Sequence, residues 1–229
     1  MLNNLNIFYK KKILIYGLGK SGLSVLKFLK KNNEITTHDD KIKVNNKKIT
    51  KIKFDYIIIS PGIDINKCNL SKFLKNNFKK IYTDLDIFYY NHKENNKITI
   101  TGTNGKSTTA KILYNVLNDQ KTDVRLVGNI GNPVLLEKNV TDKTVFVIEA
   151  SSYQLEYSKL FKSNISLILN ISPDHLERHK TINKYVSAKF KLIKNQSKED
   201  FAILNTKNFY IKRELESKNY LPKVIKVEK

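Results

Sequence analysis

The sequence predicts an α/β protein, and two kinds of observation support this fold class. Short apolar segments that are typical of strands alternate with segments of helical period along most of the 229 residues. In addition, two of the apolar segments each lead through a glycine-rich turn into a helical segment. The first of these turns spans residues 17–22, and the second spans residues 102–108. Because strands that alternate with helices form parallel sheets, we expect mostly parallel pairing.

The second glycine-rich turn is typical of a phosphate-binding loop. Ile98 and Ile100 alternate with threonines as in a short strand, and a helical segment continues from Ala110. In such a turn, backbone N–H groups converge on an anion, Lys106 would neutralise phosphate oxygens, and the Ser107 hydroxyl would bind Mg²⁺. The full Walker pattern has a glycine where Ile100 stands, so a plain strand-to-helix turn is the alternative. The candidate phosphate-binding residues are Gly102, Thr103, Asn104, Gly105, Lys106, Ser107 and Thr108.

The first glycine-rich turn, Gly17-Leu-Gly-Lys-Ser-Gly22, has the pattern of a dinucleotide fingerprint. It lies between an apolar strand at 12–16 and an amphipathic segment, which is the context that the fingerprint requires. A second strand ends at Asp39-Asp40, about twenty residues beyond the glycines, where an acid can meet a ribose hydroxyl. The pattern predicts a nucleotide-phosphate site but does not identify the nucleotide, and ordinary turn residues are the alternative for the two aspartates.

The rest of the chain divides at a polar segment. A third strand, at 54–60, ends at Pro61-Gly62, and residues 85–90 form a helical segment. Residues 92–97 are polar and unpatterned, which indicates a linker. We therefore expect a Rossmann-like domain over residues 1–92 and an incomplete P-loop-type α/β domain over residues 93–229. The strands predicted after the phosphate loop lie at 144–148, at 165–169 and, as the last one, at 201–204.

Polar residues follow apolar segments of the second domain. Asn129, Glu149 and residues 170–175 occupy such positions, as the phosphate loop does. Because the carboxyl ends of parallel strands share one edge of a sheet, we expect these segments to meet. Glu149 would then be a Mg²⁺ ligand, with a solvated strand end as the alternative. His175 is a candidate ligand of a second metal or a plain helix cap, and a zinc pair with His179 lacks a third ligand.

The composition limits the classes of function. The net charge is +21, but arginine, the usual reader of bases and phosphates, occurs only at Arg125, Arg178 and Arg213, and the lysines are spread along the chain. We therefore expect no nucleic-acid partner. The single cysteine, Cys68, fits a reducing compartment. With neither a run of about 18 apolar residues nor a signal-peptide pattern, the sequence predicts a cytoplasmic protein that does not insert into a membrane.

A set of short motifs runs through the chain from about residue 12 to about residue 205. After the turn at 17–22 come Gly-Thr-Asn-Gly-Lys-Ser-Thr at 102–108, Gly-Asn-Ile-Gly at 128–131, Glu-Ala-Ser-Ser-Tyr-Gln-Leu at 149–155, Asn-x-Ser-x-Asp-His at 170–175 and Tyr-x-x-Ala-Lys at 185–189. As a set, they resemble the Mur ligases, the ATP-dependent amide-forming enzymes of peptidoglycan synthesis. They are most similar to the member that adds D-glutamate to UDP-N-acetylmuramoyl-L-alanine.

The resemblance implies a role for each candidate residue. The uridine nucleotide would contact Leu18, Asp39, Asp40, Lys41 and Gly62. The muramoyl-alanine end would contact Asn129, Ser151, Gln154 and His175. The catalytic residues would be Lys106, Asn129, His175 and Lys189. Of two Mg²⁺ ions, one would be held by Ser107 and Glu149 beside the ATP phosphates, and the other by His175 and a carbamylated Lys189. The alanyl carboxylate would attack ATP, and the D-glutamate amine would attack the resulting acyl phosphate.

The end of the chain bears on this expectation. Family members have a third domain that binds the amino acid, and the sequence stops at Lys229, within what would be the central domain. We therefore expect a truncated, monomeric chain that binds its small-molecule substrates but ligates them slowly on its own. One rival hypothesis is a protein that binds UDP-sugar or ATP without turnover. An NAD-dependent oxidoreductase would not need the second loop, and a folate polyglutamate ligase does not fit residues 12–62.

Overall fold

The structure is a computed structural model, and it describes residues 6–42 and 46–228. The strands in these ranges are β1 (Lys12–Tyr16), β2 (Glu34–His38), β3 (Tyr56–Ile59), β4 (Ile81–Tyr82), β5 (Asn96–Thr101), β6 (Val124–Gly128), β7 (Val145–Glu149), β8 (Ile165–Ile168), β9 (Phe201–Asn205) and β10 (Lys223–Val227). The helices are α1 (Lys20–Leu29), α2 (Asn46–Thr50), α3 (Ser71–Asn76), α4 (Asp84–Asn91), α5 (Lys106–Asp119), α6 (Ser152–Glu156), α7 (Leu176–His179), α8 (Ile182–Lys194) and α9 (Phe209–Ser217). None of these helices is long and apolar enough to cross a membrane.

The first sheet has the strand order β2-β1-β3-β4, and all its pairings are parallel. The residues of β1 from Ile13 to Tyr16 are fully buried, as expected for a strand of a parallel sheet. The first glycine-rich turn begins where β1 ends, and α1 starts inside the turn. A Cβ atom on Gly22 would lie 1.8 Å from the Gly17 oxygen, so this close approach requires glycine.

The second sheet has the strand order β10-β9-β8-β5-β7-β6, and its pairings are also parallel. The alternation of strands and helices confirms the predicted α/β class. β5 lies between β7 and β8, so the second glycine-rich turn leaves the sheet at a central position. Because the strands are parallel, the segments that follow β5, β6, β7 and β8 all emerge at one edge.

The strand predicted at 201–204 is not the last one. β10 pairs with β9 along Lys223–Val227, and every residue of β10 is exposed. Its sequence, Lys-Val-Ile-Lys-Val, lacks the apolar run that identifies the buried strands of a parallel sheet. The prediction of the final strand was therefore wrong, because the apolar pattern reports burial and β10 is an edge strand.

Helix α4 packs against both sheets. Its Leu85 and Phe88 belong to one apolar cluster with Ile13 of β1 and Phe146 of β7. The rings of Phe88 and Phe146 lie 4.8 Å apart in an edge-to-face arrangement. The predicted boundary between residues 92 and 93 falls just after this helix. The division into two domains stays a prediction, and a shared core lies across the place where it would fall.

The polar segment at 92–97 is held by buried hydrogen bonds. Lys97 is 1% exposed, and its ammonium donates to the carbonyl oxygens of His92 at 2.8 Å, Lys93 at 3.1 Å and also Asn95. The side-chain amide of Asn95 donates to the carbonyl oxygens of Thr141 at 2.7 Å and Thr144 at 3.0 Å. The Lys97 ammonium lies beside the carbonyl groups that follow the C-terminus of α4, where a positive charge is favourable to the helix dipole. The segment is thus hydrogen-bonded to the residues that precede β7.

Candidate functional site

The phosphate loop predicted at 102–108 connects β5 to α5. Gly105 is the N-cap of α5 and has a φ of +83°, a left-handed conformation in which a side chain is strained. Since α5 begins at Lys106, the unpaired N–H groups and the positive end of the helix dipole lie at the turn. The Lys106 ammonium donates a 2.7 Å hydrogen bond to the Thr103 oxygen. Such a turn is able to bind a polyphosphate anion.

The carboxylate of Glu149 joins two other candidate residues. Its Oε2 accepts a hydrogen bond from the Ser107 hydroxyl at 2.7 Å, and its Oε1 accepts one from the Asn129 amide at 2.7 Å. Glu149 is 1% exposed. The ends of β7, β6 and β5 therefore bring these three side chains together, as the strand pattern predicts. A buried carboxylate beside a serine hydroxyl is a donor set that fits one Mg²⁺ ion when phosphate and water complete its coordination.

A cleft of about 590 Å³ lies where the first glycine-rich turn faces the second sheet. From the first sheet it is lined by Gly17, Gly19, Lys20, Ser21, Asp39, Asp40, Lys41, Ser60, Pro61, Gly62 and Ile63. From the second sheet it is lined by Gly128, Asn129, Gly131, Pro133 and Gln154. Asn129 also contacts Glu149. The cleft and the phosphate loop therefore share a neighbour in Asn129.

The two aspartates at the end of β2 have different surroundings. Asp39 accepts backbone hydrogen bonds from Leu18 at 2.7 Å and Lys41 at 3.0 Å, and these bonds lower the pKa of its carboxyl. Asp40 accepts a hydrogen bond from the Tyr16 hydroxyl, and the ring Nε2 of His38 lies 3.4 Å from the same oxygen. Both carboxylates are thus oriented by the protein at the mouth of the cleft.

The cleft includes residues that the sequence did not single out. Lys20 and Ser21 line it, whereas Leu18 packs its side chain against the core and contributes its N–H to Asp39. Lys20 and Ser21 occupy variable positions of the Gly-x-Gly-x-x-Gly pattern. Their position in a turn between a strand and a helix is the sequence feature that could have identified them, because the side chains of such a turn flank the bound phosphates.

Ser151 and Gln154 form the cap of α6. The Ser151 hydroxyl accepts a hydrogen bond from the Gln154 N–H at 3.3 Å, and the Gln154 side chain accepts one from the Ser151 N–H at 3.0 Å. This reciprocal pair is a capping box. Gln154 also lines the cleft although it is 4% exposed. The proposed substrate contacts of both residues stay predictions, and each residue has a structural reason to be polar.

His175 and Lys189 both lie near the Tyr185 ring. Lys189 is 1% exposed, and its amine donates a 2.7 Å hydrogen bond to the Gly102 oxygen and lies 4.6 Å from the ring centroid. Burial, aided by the charge of Lys106, lowers the pKa of Lys189 to about 7. The ring of His175 lies 6.2 Å from that of Tyr185, and its Nε2 is 3.4 Å from an Asp174 oxygen.

These contacts do not assemble a second metal site. The Lys189 amine donates its hydrogen bond to the phosphate loop, and a lysine amine is not by itself a Mg²⁺ ligand. In the described ranges, no three or more histidine, cysteine, aspartate or glutamate side chains are grouped so that they could hold a metal. The second Mg²⁺ ion and the carbamylation of Lys189 stay predictions. The zinc pair of His175 and His179 gains no support.

His179 and Arg178 instead connect elements around the site. His179 is 2% exposed, its Nε2 lies 3.0 Å from the Ser152 hydroxyl, and burial lowers its pKa to about 4. Arg178 donates to Glu156 at 2.8 Å and to the Ile63 oxygen at 2.6 Å. The second bond reaches the first sheet's side of the cleft. Only the folded arrangement of distant segments reveals these contacts.

Comparison with known proteins finds a family model and curated relatives that match this chain. The family model of the Mur ligase middle domain matches residues 100–228, which is more than half of the chain. The UDP-N-acetylmuramoylalanine–D-glutamate ligase of Rickettsia bellii is 37% identical over 221 residues, which cover 90% of this chain and 48% of that protein. The ligase of the same name from Clostridioides difficile is 38% identical over 216 residues, which cover 85% and 48%. The chain thus spans about half the length of the curated relatives it matches.

Solved structures show the same fold. The UDP-N-acetylmuramate:L-alanyl-gamma-D-glutamyl-meso-diaminopimelate ligase from Neisseria meningitides has a TM-score of 0.60 at 15% identity, covering 95% of this chain and 78% of that one. The UDP-N-acetylmuramate-alanine ligase from Thermotoga maritima has a TM-score of 0.52 at 20% identity, covering 96% and 53%. At these identities the likeness concerns the arrangement of strands and helices alone.

Proposed function

The chain belongs to the Mur ligase family, and we propose that it supplies the ATP-binding and UDP-binding parts of a peptidoglycan ligase. The substrate that we propose is UDP-N-acetylmuramoyl-L-alanine, to which D-glutamate is added, as in the names of the similar curated proteins. We also propose a cytoplasmic location, which the single cysteine, Cys68, supports.

The observation that carries this proposal is the pair of hydrogen bonds on Glu149. One bond comes from Ser107 of the phosphate loop and the other from Asn129 of the cleft wall. A ligase that activates a carboxylate with ATP needs the γ-phosphate and that carboxylate side by side. Asn129 contacts both regions, so a substrate that fills the cleft can present its acyl end next to the loop.

The ATP phosphates would occupy the turn at the start of α5. The Lys106 ammonium, which now donates to the Thr103 oxygen, would transfer its hydrogen bonds to phosphate oxygens. Ser107 and Glu149 would hold the Mg²⁺ ion, and that ion would neutralise charge on the transferred phosphoryl group. Lys106 and the N–H groups of the turn would keep the phosphates in one orientation.

The uridine nucleotide would occupy the cleft. The first glycine-rich turn and the N-terminus of α1 form one wall, and Lys20 and Lys41 place cations beside it. Asp39 keeps its carboxylate fixed by two backbone N–H groups at the place where a ribose hydroxyl would lie. Gln154 and Asn129 close the opposite wall. This arrangement supports a diphosphate-linked substrate that extends from the first sheet to the second.

The reaction that we propose has two steps. An oxygen of the alanyl carboxylate attacks the γ-phosphorus, the bond to the bridging oxygen of ADP breaks, and an acyl phosphate forms. The D-glutamate amine then attacks the acyl carbon, loses a proton and displaces inorganic phosphate, which leaves an amide. The chain's own contribution is positioning and charge neutralisation, with Lys106 at the phosphates and Asn129 and His175 near the acyl end.

Equilibrium binding of Mg-ATP tests the phosphate loop. We expect Lys106→Ala to weaken Mg-ATP binding about 10- to 100-fold, because a charge-assisted hydrogen bond contributes about 1.5–3 kcal/mol. Lys111→Ala, which removes an exposed lysine from the same helix, is the control and should leave the affinity unchanged. Unfolding by urea should show both variants folded. Unchanged Mg-ATP binding by Lys106→Ala, or no binding by the parent chain, would overturn the proposal.

A further inference from the structure

Asn170 makes a two-way hydrogen-bonded contact with the phosphate loop. Its side-chain oxygen accepts a bond from the Asn104 N–H at 2.9 Å, and its side-chain amide donates to the Asn104 oxygen at 3.1 Å. Its own backbone oxygen accepts a bond from the Thr103 N–H at 2.9 Å. The side chain therefore satisfies both polar groups of one residue in the middle of the turn, much as a neighbouring strand would.

The contact extends the pairing of β5 and β8 beyond the ends of both strands. The Leu169 N–H donates to the Thr101 oxygen at 3.0 Å, and the Ser172 N–H donates to the Thr103 hydroxyl at 3.0 Å. That hydroxyl also lies 3.2 Å from the hydroxyl of the buried Tyr185. The segment at 169–172 thus accompanies the loop from its first residue to Asn104.

We propose that Asn170 is a positioning residue of the phosphate loop, which it holds in the conformation that receives the triphosphate. The inference rests on the proposed function, since it concerns the same loop. With the Asn104 peptide groups bound to Asn170, the N–H groups nearer α5 remain to meet phosphate oxygens. Without that side chain, both Asn104 groups would turn to water, and binding would have to order the loop.

A second asparagine supplies a matched control. Asn205 ends β9 in the same sheet, but among the described residues its side-chain oxygen accepts a single, local bond, from the Lys207 N–H at 3.2 Å. Asn170→Ala and Asn205→Ala thus remove the same side chain from the ends of two strands in one sheet. Asn170→Asp keeps the size of the side chain and the acceptor for the Asn104 N–H, but it turns an oxygen towards the Asn104 carbonyl.

The test is calorimetric titration of the full chain and its variants with Mg-ATP and, separately, with UDP. We expect Asn170→Ala to weaken Mg-ATP binding about tenfold, equivalent to about 1.4 kcal/mol. Asn170→Asp should weaken it at least as much, because it also adds negative charge beside the phosphates. UDP affinity should stay within about twofold in all variants, and Asn205→Ala should match the parent for both ligands. The Asn104 amide should exchange its hydrogen faster in both Asn170 variants.

The outcomes separate the inference from the function on which it rests. Unchanged Mg-ATP binding by Asn170→Ala, in a parent chain that binds Mg-ATP, would overturn the positioning role alone. Equal losses for Mg-ATP and UDP would also overturn it, since they would indicate general damage to the fold. A parent chain that does not bind Mg-ATP would instead refute the proposed function, and unchanged exchange at Asn104 would still refute the contact.

Discussion

Asp84, the first residue of α4, is a buried acid close to the first glycine-rich turn. It is 2% exposed, it accepts a 3.0 Å bond from the Leu85 N–H, and the Ser21 hydroxyl is a hydrogen-bond partner. Burial outweighs these bonds and raises the pKa of Asp84 to about 6. The folded chain therefore binds this proton more tightly than the unfolded chain, whose aspartates have a pKa of about 3.9.

A pH series on Asp84→Asn tests this shift. Because the folded pKa is raised, the parent chain should gain stability relative to the variant as the pH falls through about 6. The gain should reach about 1.4 kcal/mol between about pH 8 and about pH 5. Urea unfolding of the parent and the variant at several pH values measures it. A difference that stays constant with pH would show that Asp84 titrates normally.

Residues of the site differ in how far the sequence could predict them. Ser107, Asn129 and Glu149 each follow an apolar segment, so the rule that parallel strands end together predicts their contact, and the contact is present. Their chemical roles stay predictions. Asn170 belongs to a segment that this rule also selects, but its bond to Asn104 depends on side-chain geometry. Lys189 has the pattern of a solvated helix residue, and only the folded chain shows that it is buried.

At the scale of single elements, two glycines of the first glycine-rich turn differ in the space that surrounds them. A Cβ atom on Gly22 would meet the Gly17 oxygen at 1.8 Å, whereas one on Gly19 would meet nothing within 4 Å. Gly19 also has a φ of −72°, which any residue can adopt. The turn therefore needs glycine at Gly22 for packing, and it does not need glycine at Gly19 for its own stability.

The two alanine variants of this turn give a matched pair. We expect Gly22→Ala to lower the free energy of unfolding by about 3 kcal/mol, because the turn and α1 must separate to admit the methyl group. Gly19→Ala should change it by less than about 0.5 kcal/mol or raise it slightly, since alanine restricts the unfolded chain. Thermal and urea unfolding measure both values. Equal effects of the two substitutions would contradict the packing argument.

The predictability of elements follows their burial. Strands such as β1 and β7 are apolar at all but one residue because both faces of the sheet are covered, and this pattern predicts them from the sequence. β10 is exposed throughout and carries no such pattern. The polarity of residues 92–97 predicts a linker, yet Lys97 lies in β5, is buried, and donates from its ammonium to three backbone carbonyl groups. The polarity of a segment therefore does not show whether it is a flexible linker or a segment whose polar groups are hydrogen-bonded within the protein.

At the scale of the whole molecule, one buried carboxylate connects α4 to the segment between α6 and β8. Asp86 is fully buried, and its Oδ1 accepts bonds from the Ser158 hydroxyl and from the N–H groups of residues 159–161, at 2.7–3.1 Å. Its Oδ2 accepts bonds from the N–H of Thr83 at 2.9 Å and from its hydroxyl at 3.1 Å. Hydrogen-bond donors from Thr83 and from residues 158–161 therefore take the place of the water that the buried carboxylate has lost.

Replacing this carboxylate should weaken the connection between the sheets. We expect Asp86→Asn to lower the free energy of unfolding by about 3 kcal/mol, because an amide offers one acceptor oxygen and leaves buried donors unsatisfied. Asp55→Asn is the control, since Asp55 accepts one exposed bond from the Lys12 N–H at 2.8 Å, and it should cost less than about 1 kcal/mol. Urea unfolding followed by tyrosine fluorescence gives both values. If Asp86→Asn lowers the free energy of unfolding no more than the control does, the carboxylate does not stabilise this connection.

The most direct test of the proposed function is a titration of one chain with two nucleotides. Calorimetry should find one site for UDP-N-acetylmuramoyl-L-alanine and a separate site for Mg-ATP, with both occupied together because the cleft and the phosphate loop are adjacent but distinct. NADH should not bind at concentrations that saturate the uridine site. Tighter binding of NADH than of the uridine compound, or displacement of that compound by Mg-ATP from one shared site, would contradict the assignment.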